Sequence, residues 1–212
     1  TAATLLEAVA EVRPQARVVR LGSAGEYGVV PHGRAVTEDD PAAPVAGYGI
    51  SHLAGTGLFQ RARDVDAVSL RVFNPIGPGM SAENMLGRAA DRIRAAQAAG
   101  TGEITMGPLS AYRDFVDVRD LAALVAAVLR PAELTHRVFN AGSGRAASGR
   151  EAVWLLAEAA GFSGEIREQG AGPQRSAAVH WIQADVRRAR DELGWSPSRD
   201  LASSIKDIWA AG

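Results

Sequence analysis

Cysteine is absent from the 212 residues, which excludes disulfides, zinc–thiolate centres and thiol nucleophiles. Lysine is almost absent: of 23 basic residues only Lys206 is lysine. No apolar run approaches the roughly 18 residues of a membrane-spanning helix, so no membrane role is expected. An excess of one charge is missing too. With 23 basic and 24 acidic residues the formal net charge is -1, and no Lys/Arg cluster is interleaved with aromatics, so no nucleic-acid partner is expected. No signal-peptide pattern opens the chain, and the default setting is cytoplasmic. What is present is an ordinary globular composition, 47% hydrophobic and 22% charged, in a length that suits one domain or two small ones.

Periodicity predicts an α/β fold. Leu5, Leu6, Val9 and Val12 form a stripe at helical spacing, and the β-branched stretch Ala16 to Gly22 reads as a buried strand. Helix then strand recurs at Tyr48 to about Arg63 and Ala67 to Phe73, the alternation of a parallel sheet. Further helices are expected at 82–99, 119–129 and 149–160, with strands at 103–106, 114–117 and 137–140. Two helices end the chain, one from Asp185 to Gly194 and one from Asp200. Residues 31–47 and 164–174 read as long loops, and Gly142-Ser143-Gly144 as a tight turn into the helix from Gly149. An opening helix that feeds a strand implies an earlier strand, so the chain is expected to be the later part of a longer protein.

Ser23 directly follows the first strand, at the carboxyl edge where open α/β sheets bind ligands. Tyr48 and His52 stand at i and i+4 on the next helix and share a face. A hydroxyl, a phenol and a basic group converging there suit proton transfer to a carbonyl, while the same residues also serve as turn, packing and surface residues in many proteins.

Four strings occur in order: Gly22-Ser23-Ala24-Gly25-Glu26-Tyr27-Gly28, Tyr48-Gly49-Ile50-Ser51-His52, Arg71-Val72-Phe73-Asn74-Pro75-Ile76-Gly77-Pro78-Gly79, and Tyr112-Arg113-Asp114-Phe115-Val116-Asp117. Together with Asp185 to Pro197 they resemble the extended short-chain dehydrogenase/reductases, the NAD-dependent epimerase/dehydratase family. Within it they are most like the reductases of GDP-4-keto-6-deoxy-mannose. The resemblance implies the C-terminal portion of a Rossmann-type parallel sheet (residues 1–75) with a smaller substrate domain (76–212), about 112–140 returning to the first. It implies an NAD(P)-dependent reductase or epimerase of a nucleotide-linked keto-sugar or a related secondary metabolite, with NAD or NADP as cofactor, and a homodimer. By the same resemblance Ser23, Tyr48 and His52 are catalytic. Leu21, Gly22, Tyr48, His52, Phe73 and Ile76 line the cofactor, and Ser23, Asn74, Asn84, Arg113 and Arg175 hold the substrate.

The chain also departs from the family pattern. The Gly-rich phosphate loop would fall roughly 70 to 100 residues before Thr1, and no G-x-G-x-x-G here follows a strand and opens a helix. The family's Tyr-x-x-x-Lys reads Tyr-x-x-x-His, which exchanges a fixed charge for a mostly neutral group and favours reduction over oxidation. Ala24 and Gly25 stand where dehydratases carry an acidic residue, so dehydration is not expected, with Glu26 next along. A carboxylate that often holds the nucleotide ribose would fall at Ala178. These departures keep a second reading open, a non-redox member that binds a ligand or partner. Trp154, Trp181, Trp195 and Trp209 are expected as core or interface anchors, Trp181 alternatively as a stacking platform.

Overall fold

The computed structural model describes residues 1–170 and 178–212. Helix α1 (Ala2–Val12), capped by the Thr1 hydroxyl, feeds strand β1 (Arg17–Leu21). A single 3-10 turn at Ala24–Glu26 follows, then helix α2 (Gly47–Arg61) and strand β2 (Asp66–Val72). β1 runs parallel to β2 with Leu21 opposite Leu70, and β6 (Val138–Ala141) runs parallel on the other side with Val72 opposite Ala141. α2 is the crossover that a parallel pair requires. The order β1–β2–β6 makes β2 the central strand, and Ala67–Val72 are all buried, Ser69 and Arg71 among the apolar side chains. Leu6, Phe59 and Val65 cover one face, whereas Leu124, Val128 and Trp195 close the other.

A second body is built on β3 (Asn74–Ile76), β5 (Tyr112–Asp117) and β7 (Ala146–Ser148), with β3 parallel and β7 antiparallel to β5. β4 (Glu103–Met106) and β8 (Glu165–Glu168) form a separate parallel pair. The helices α3 (Met85–Ala99) and α5 (Gly149–Ala159) pack here with α7 (Leu201–Ala210) around Leu86, Ile93, Met106, Val153, Leu156 and Ile205. α4 (Val118–Leu129) and α6 (Arg187–Leu193) belong to the first core.

Several sequence expectations are corrected. In α1 only Leu6 is buried, and Leu5 (48% exposed) and Val12 (73%) face outward. The loop expected from Gly164 contains β8, an edge strand whose Glu-Ile-Arg-Glu sequence hides its pairing with β4 behind charge. Gly142 to Gly144 turn into β7 before the helix begins. Trp154 is 61% exposed, because α5 buries Ala152, Val153 and Leu156 on the opposite face. No helix among the described residues is long and apolar enough to cross a membrane, and no cluster of three metal-ligating side chains occurs among them.

Candidate active site

The carboxyl end of β1 is continued by Gly22, whose N–H donates to the Leu70 carbonyl at 2.6 Å. Ser23 then caps the 3-10 turn: its Oγ accepts from Gly25 N at 3.0 Å while the Glu26 carboxylate accepts from Ser23 N at 3.2 Å. This reciprocal capping box fixes the serine side chain at the sheet edge. The first turn of α2 is drawn against it because residue 49 lacks a side chain; a Cβ on Gly49 would lie 2.3 Å from the Gly25 carbonyl oxygen. A Cβ placed on Gly25 would be 3.3 Å from Ser23 Oγ and 3.6 Å from Tyr48 Cδ1, so the serine hydroxyl and the edge of the tyrosine ring both lie close against Gly25. The Tyr48 ring is 53% exposed and packs on the His52 ring, centroids 4.4 Å apart.

Behind His52 stands Arg20 of β1. Its Nη2 lies 3.1 Å from His52 Nδ1 and donates to the His52 carbonyl at 3.0 Å, and its Nη1 donates to Thr56 Oγ1 and Ser69 Oγ. Burial, and then the charge of Arg20, lower the His52 pKa, with Glu26 acting the other way. The chain holds a useful internal contrast in its tyrosines. Tyr27 is 1% exposed, donates to Asn140 Oδ1 at 2.6 Å, and is pushed far above an ordinary phenol by burial. It is a structural residue, and Tyr48 is the accessible one. Glu26 is likewise consumed: fully buried, it accepts from Thr56 Oγ1 at 2.9 Å and from Arg71 Nε at 3.0 Å. A carboxylate so engaged is not poised to exchange protons with a sugar.

The remaining expected residues divide. Leu21 is 52% exposed at the sheet edge and presents its side chain outward. The side chains of Phe73 and Ile76 are buried in apolar clusters, the former near the Tyr27 ring, so only their backbones can meet a ligand. An exposed leucine two residues before Ser23 offers an apolar surface of the kind on which a nicotinamide ring packs. Toward the substrate side, Asn74 Nδ2 donates to the Asp114 carbonyl at 3.1 Å. Arg113 Nη1 donates to the Tyr112 carbonyl at 2.8 Å, and burial lowers its pKa. Asn84 is exposed and precedes α3, with no side-chain cap bond. Arg175 lies outside the described residues.

Three features escaped the sequence reading. Arg20 is one, although an arginine inside a β-branched strand is itself a signal of a buried partner. Asp114 is another: fully buried, it accepts from Ser143 N and Oγ, Gly144 N and Ala184 N. The third is the packing of Trp181 against His32 and Tyr112, centroids 4.5 and 5.2 Å away, with Nε1 donating to the Arg34 carbonyl at 2.9 Å.

Residues 1–142 match the profile of the NAD dependent epimerase/dehydratase family. The chain belongs to that family. Among relatives in this family, dTDP-6-deoxy-L-talose 4-dehydrogenase (NAD(P)(+)) of Kitasatospora kifunensis is 42% identical over 217 residues, covering 98% of this chain and 66% of that protein. GDP-6-deoxy-D-mannose reductase of Pseudomonas aeruginosa is 31% identical over 139 residues, 65% of this chain and 45% of that protein. The solved structure of RMD from Pseudomonas aeruginosa complexed with NADPH superposes with a TM-score of 0.88 at 25% identity, covering 99% of this chain and 71% of that one. MoeE5 in complex with UDP-glucose and NAD gives a TM-score of 0.83 at 27% identity, covering 99% and 69%. The family's Rossmann-like α/β fold is therefore this chain's fold, and the chain spans about two thirds of the length of the Kitasatospora relative, 66%.

Proposed function

We propose that the protein is an NAD(P)-dependent reductase or epimerase of a nucleotide-linked keto-sugar, with Tyr48 as proton donor and Ser23 as its partner on the same oxygen. The observation that carries this reading is that Ser23 Oγ and the Tyr48 ring both lie close against Gly25 at the carboxyl end of β1. Bound NAD(P)H supplies the hydride. Tyr48 gives its phenolic proton to the carbonyl oxygen as that oxygen becomes a hydroxyl. Ser23 Oγ accepts from Gly25 N, which leaves its own hydrogen available to be given to the same oxygen. His52 orients the cofactor ribose or tunes Tyr48, and Leu21 and Gly22 with the Phe73 and Ile76 backbones complete the nicotinamide end. Arg113 and Arg175 are assigned to the diphosphate, which planar guanidinium donors engage two oxygens at a time, and Asn74 and Asn84 to the sugar nucleotide. Residues 1–75 and 76–212, with about 112–140 shared, divide cofactor from substrate duties; the separate cores around Leu70 and Leu156 support that division. A homodimer and a cytoplasmic setting belong to the same reading.

The 42% identity to a dTDP-sugar 4-dehydrogenase supports keto-reduction at a sugar carbon over a binding role without hydride transfer. The test is initial-rate measurement with NADH and NADPH against dTDP- and GDP-linked 4-keto-6-deoxyhexoses. Tyr48→Phe is expected to lower turnover on the order of a hundredfold or more. Parent-like turnover in that variant would sink the Tyr48 assignment, and nucleotide-sugar binding without any turnover in the parent would establish the non-redox reading.

A further inference from the structure

We infer that Arg20 is a positioning residue for the Tyr48–His52 pair, holding the imidazole neutral with its proton on Nε2 and placing a permanent positive charge directly behind it. The proposal rests on the assignment of Tyr48 and His52 to the active site. A guanidinium has donors and no acceptor, so the 3.1 Å contact between Arg20 Nη2 and His52 Nδ1 requires Nδ1 to accept. An imidazole that accepts at Nδ1 carries its proton on Nε2 and cannot become imidazolium without breaking the contact and setting two cations side by side. His52 is thereby a donor through Nε2–H and is removed as a competing base for the Tyr48 proton.

The guanidinium is itself firmly placed. The same Nη2 donates to the His52 carbonyl, Nη1 to Thr56 Oγ1 at 3.1 Å and Ser69 Oγ at 3.2 Å, and Glu26 lies 3.7 Å away. A Cβ on Gly55 would fall 2.6 Å from Arg20 Nε, so the absence of a side chain there leaves room for the arginine against α2. Among the described residues, the ionisable groups seen to act on His52 are Tyr48 on its own helix, Arg20 from β1 and Glu26 from the 3-10 turn. Glu26 is also engaged by Arg71, which leaves Arg20 as the cation in hydrogen-bond contact with the imidazole. A chain with a single lysine thus sets its fixed charge one hydrogen bond behind position 52 instead of within it.

The experiment reads the imidazole directly. Two-bond proton–nitrogen spectra of histidine-labelled protein, with His52 assigned by loss of its signals in His52→Gln, are recorded from pH 5 to 9 for the parent, Arg20→Lys and Arg20→Met. In the parent, His52 is expected as the Nε2–H form with a titration midpoint below that of a free imidazole; in Arg20→Met the midpoint rises and the tautomer preference weakens. Arg20→Lys, which keeps charge and a donor, is expected to restore part of the parental behaviour. Oxidation of the sugar alcohol by Arg20→Met is expected to slow about tenfold and to need higher pH, with KM for the sugar little changed. An Nδ1–H tautomer in the parent, or a parental His52 that is charged at pH 6.5, overturns the proposal even if the variants do not fold. An unaltered His52 signal in a folded Arg20→Met does the same. Loss of the Tyr48 assignment would show instead as turnover surviving Tyr48→Phe, with the His52 spectra unaffected.

Discussion

The two bodies of this chain are held together by different means. Around Leu156 and Ile93 the core is alanine, aliphatic side chains and methionine, with Phe115 at its margin, and its stability is that of close packing. Beside the β1–β2–β6 sheet, Glu26, Thr56, Ser69, Arg71 and Asn140 are all buried, each inside a hydrogen-bond network. Buried charge is a poor route to stability when an apolar pair of the same volume would do. Its value here is directional: the network reaches Ser23 through Glu26 and His52 through Arg20, and so orients side chains at the candidate site.

The contrast can be broken at four points. The largest effect is expected from Glu26→Ala, which strands Arg71, itself 4% exposed, and should cost about 3 to 5 kcal/mol in urea unfolding. Replacing both partners, Glu26→Leu with Arg71→Met, is expected to recover most of that loss while spoiling the Ser23 cap; a double variant no better than the single would mean that the cost lies in shape instead of charge. In the apolar body Leu156→Ala, at a fully buried position, should cost about 3 kcal/mol and be insensitive to salt and pH. Asp117 tests the border between the bodies. Burial works to raise its pKa, but hydrogen bonds from Arg119 and Ser204 prevail and bring it to about 2. A carboxyl lower in the folded state stabilises above its unfolded value near ~3.9, so about 2 kcal/mol should disappear as pH falls from 4 through 2, and Asp117→Asn should flatten that part of the stability curve. The smallest effect concerns His52→Lys. Alone it sets an ammonium against Arg20, and a modest fall in melting temperature is expected; paired with Arg20→Met it should regain that loss and raise the oxidation rate about tenfold with a lower pH optimum, because the charge then stabilises the phenolate. Equal behaviour of the single and double variants would remove like-charge repulsion from the explanation.

Most of the fold was legible because its main elements keep one period. β2 reads as a strand from Val68, Leu70 and Val72, and α5 as a helix from its Val153 and Leu156 spacing. What escaped was β8, where three of four residues are charged, and β3, where Asn74 and Pro75 look like a turn. In the candidate site, Ser23, Tyr48 and His52 were singled out by position on a strand end and a helix face, and their catalytic roles were implied by the family resemblance. Arg20 was not, because its partners come from α2 and β2, and no spacing along β1 encodes which helix will lie over it. The engagement of Glu26 is hidden for the same reason: neither Thr56 nor Arg71 is near it in sequence.

Asp114 gives the molecule an order of assembly. The residue adjoining Arg113 is a carboxylate that takes its hydrogen bonds from Ser143, Gly144 and Ala184. A buried carboxylate without donors is costly, so it stays hydrated until they arrive. On a ribosome Ser143 and Gly144 come first, and the last donor, Ala184 N, comes only when the chain has been made past residue 184. Until then β5 can pair with β3 and β7 but lacks the last donor to its buried carboxylate, and a nascent chain that already holds its β1–β2–β6 sheet still lacks the finished surface assigned to the diphosphate. Limited proteolysis of stalled chains ending before and after Ala184 would show cleavage near Arg113 in the first and protection in the second.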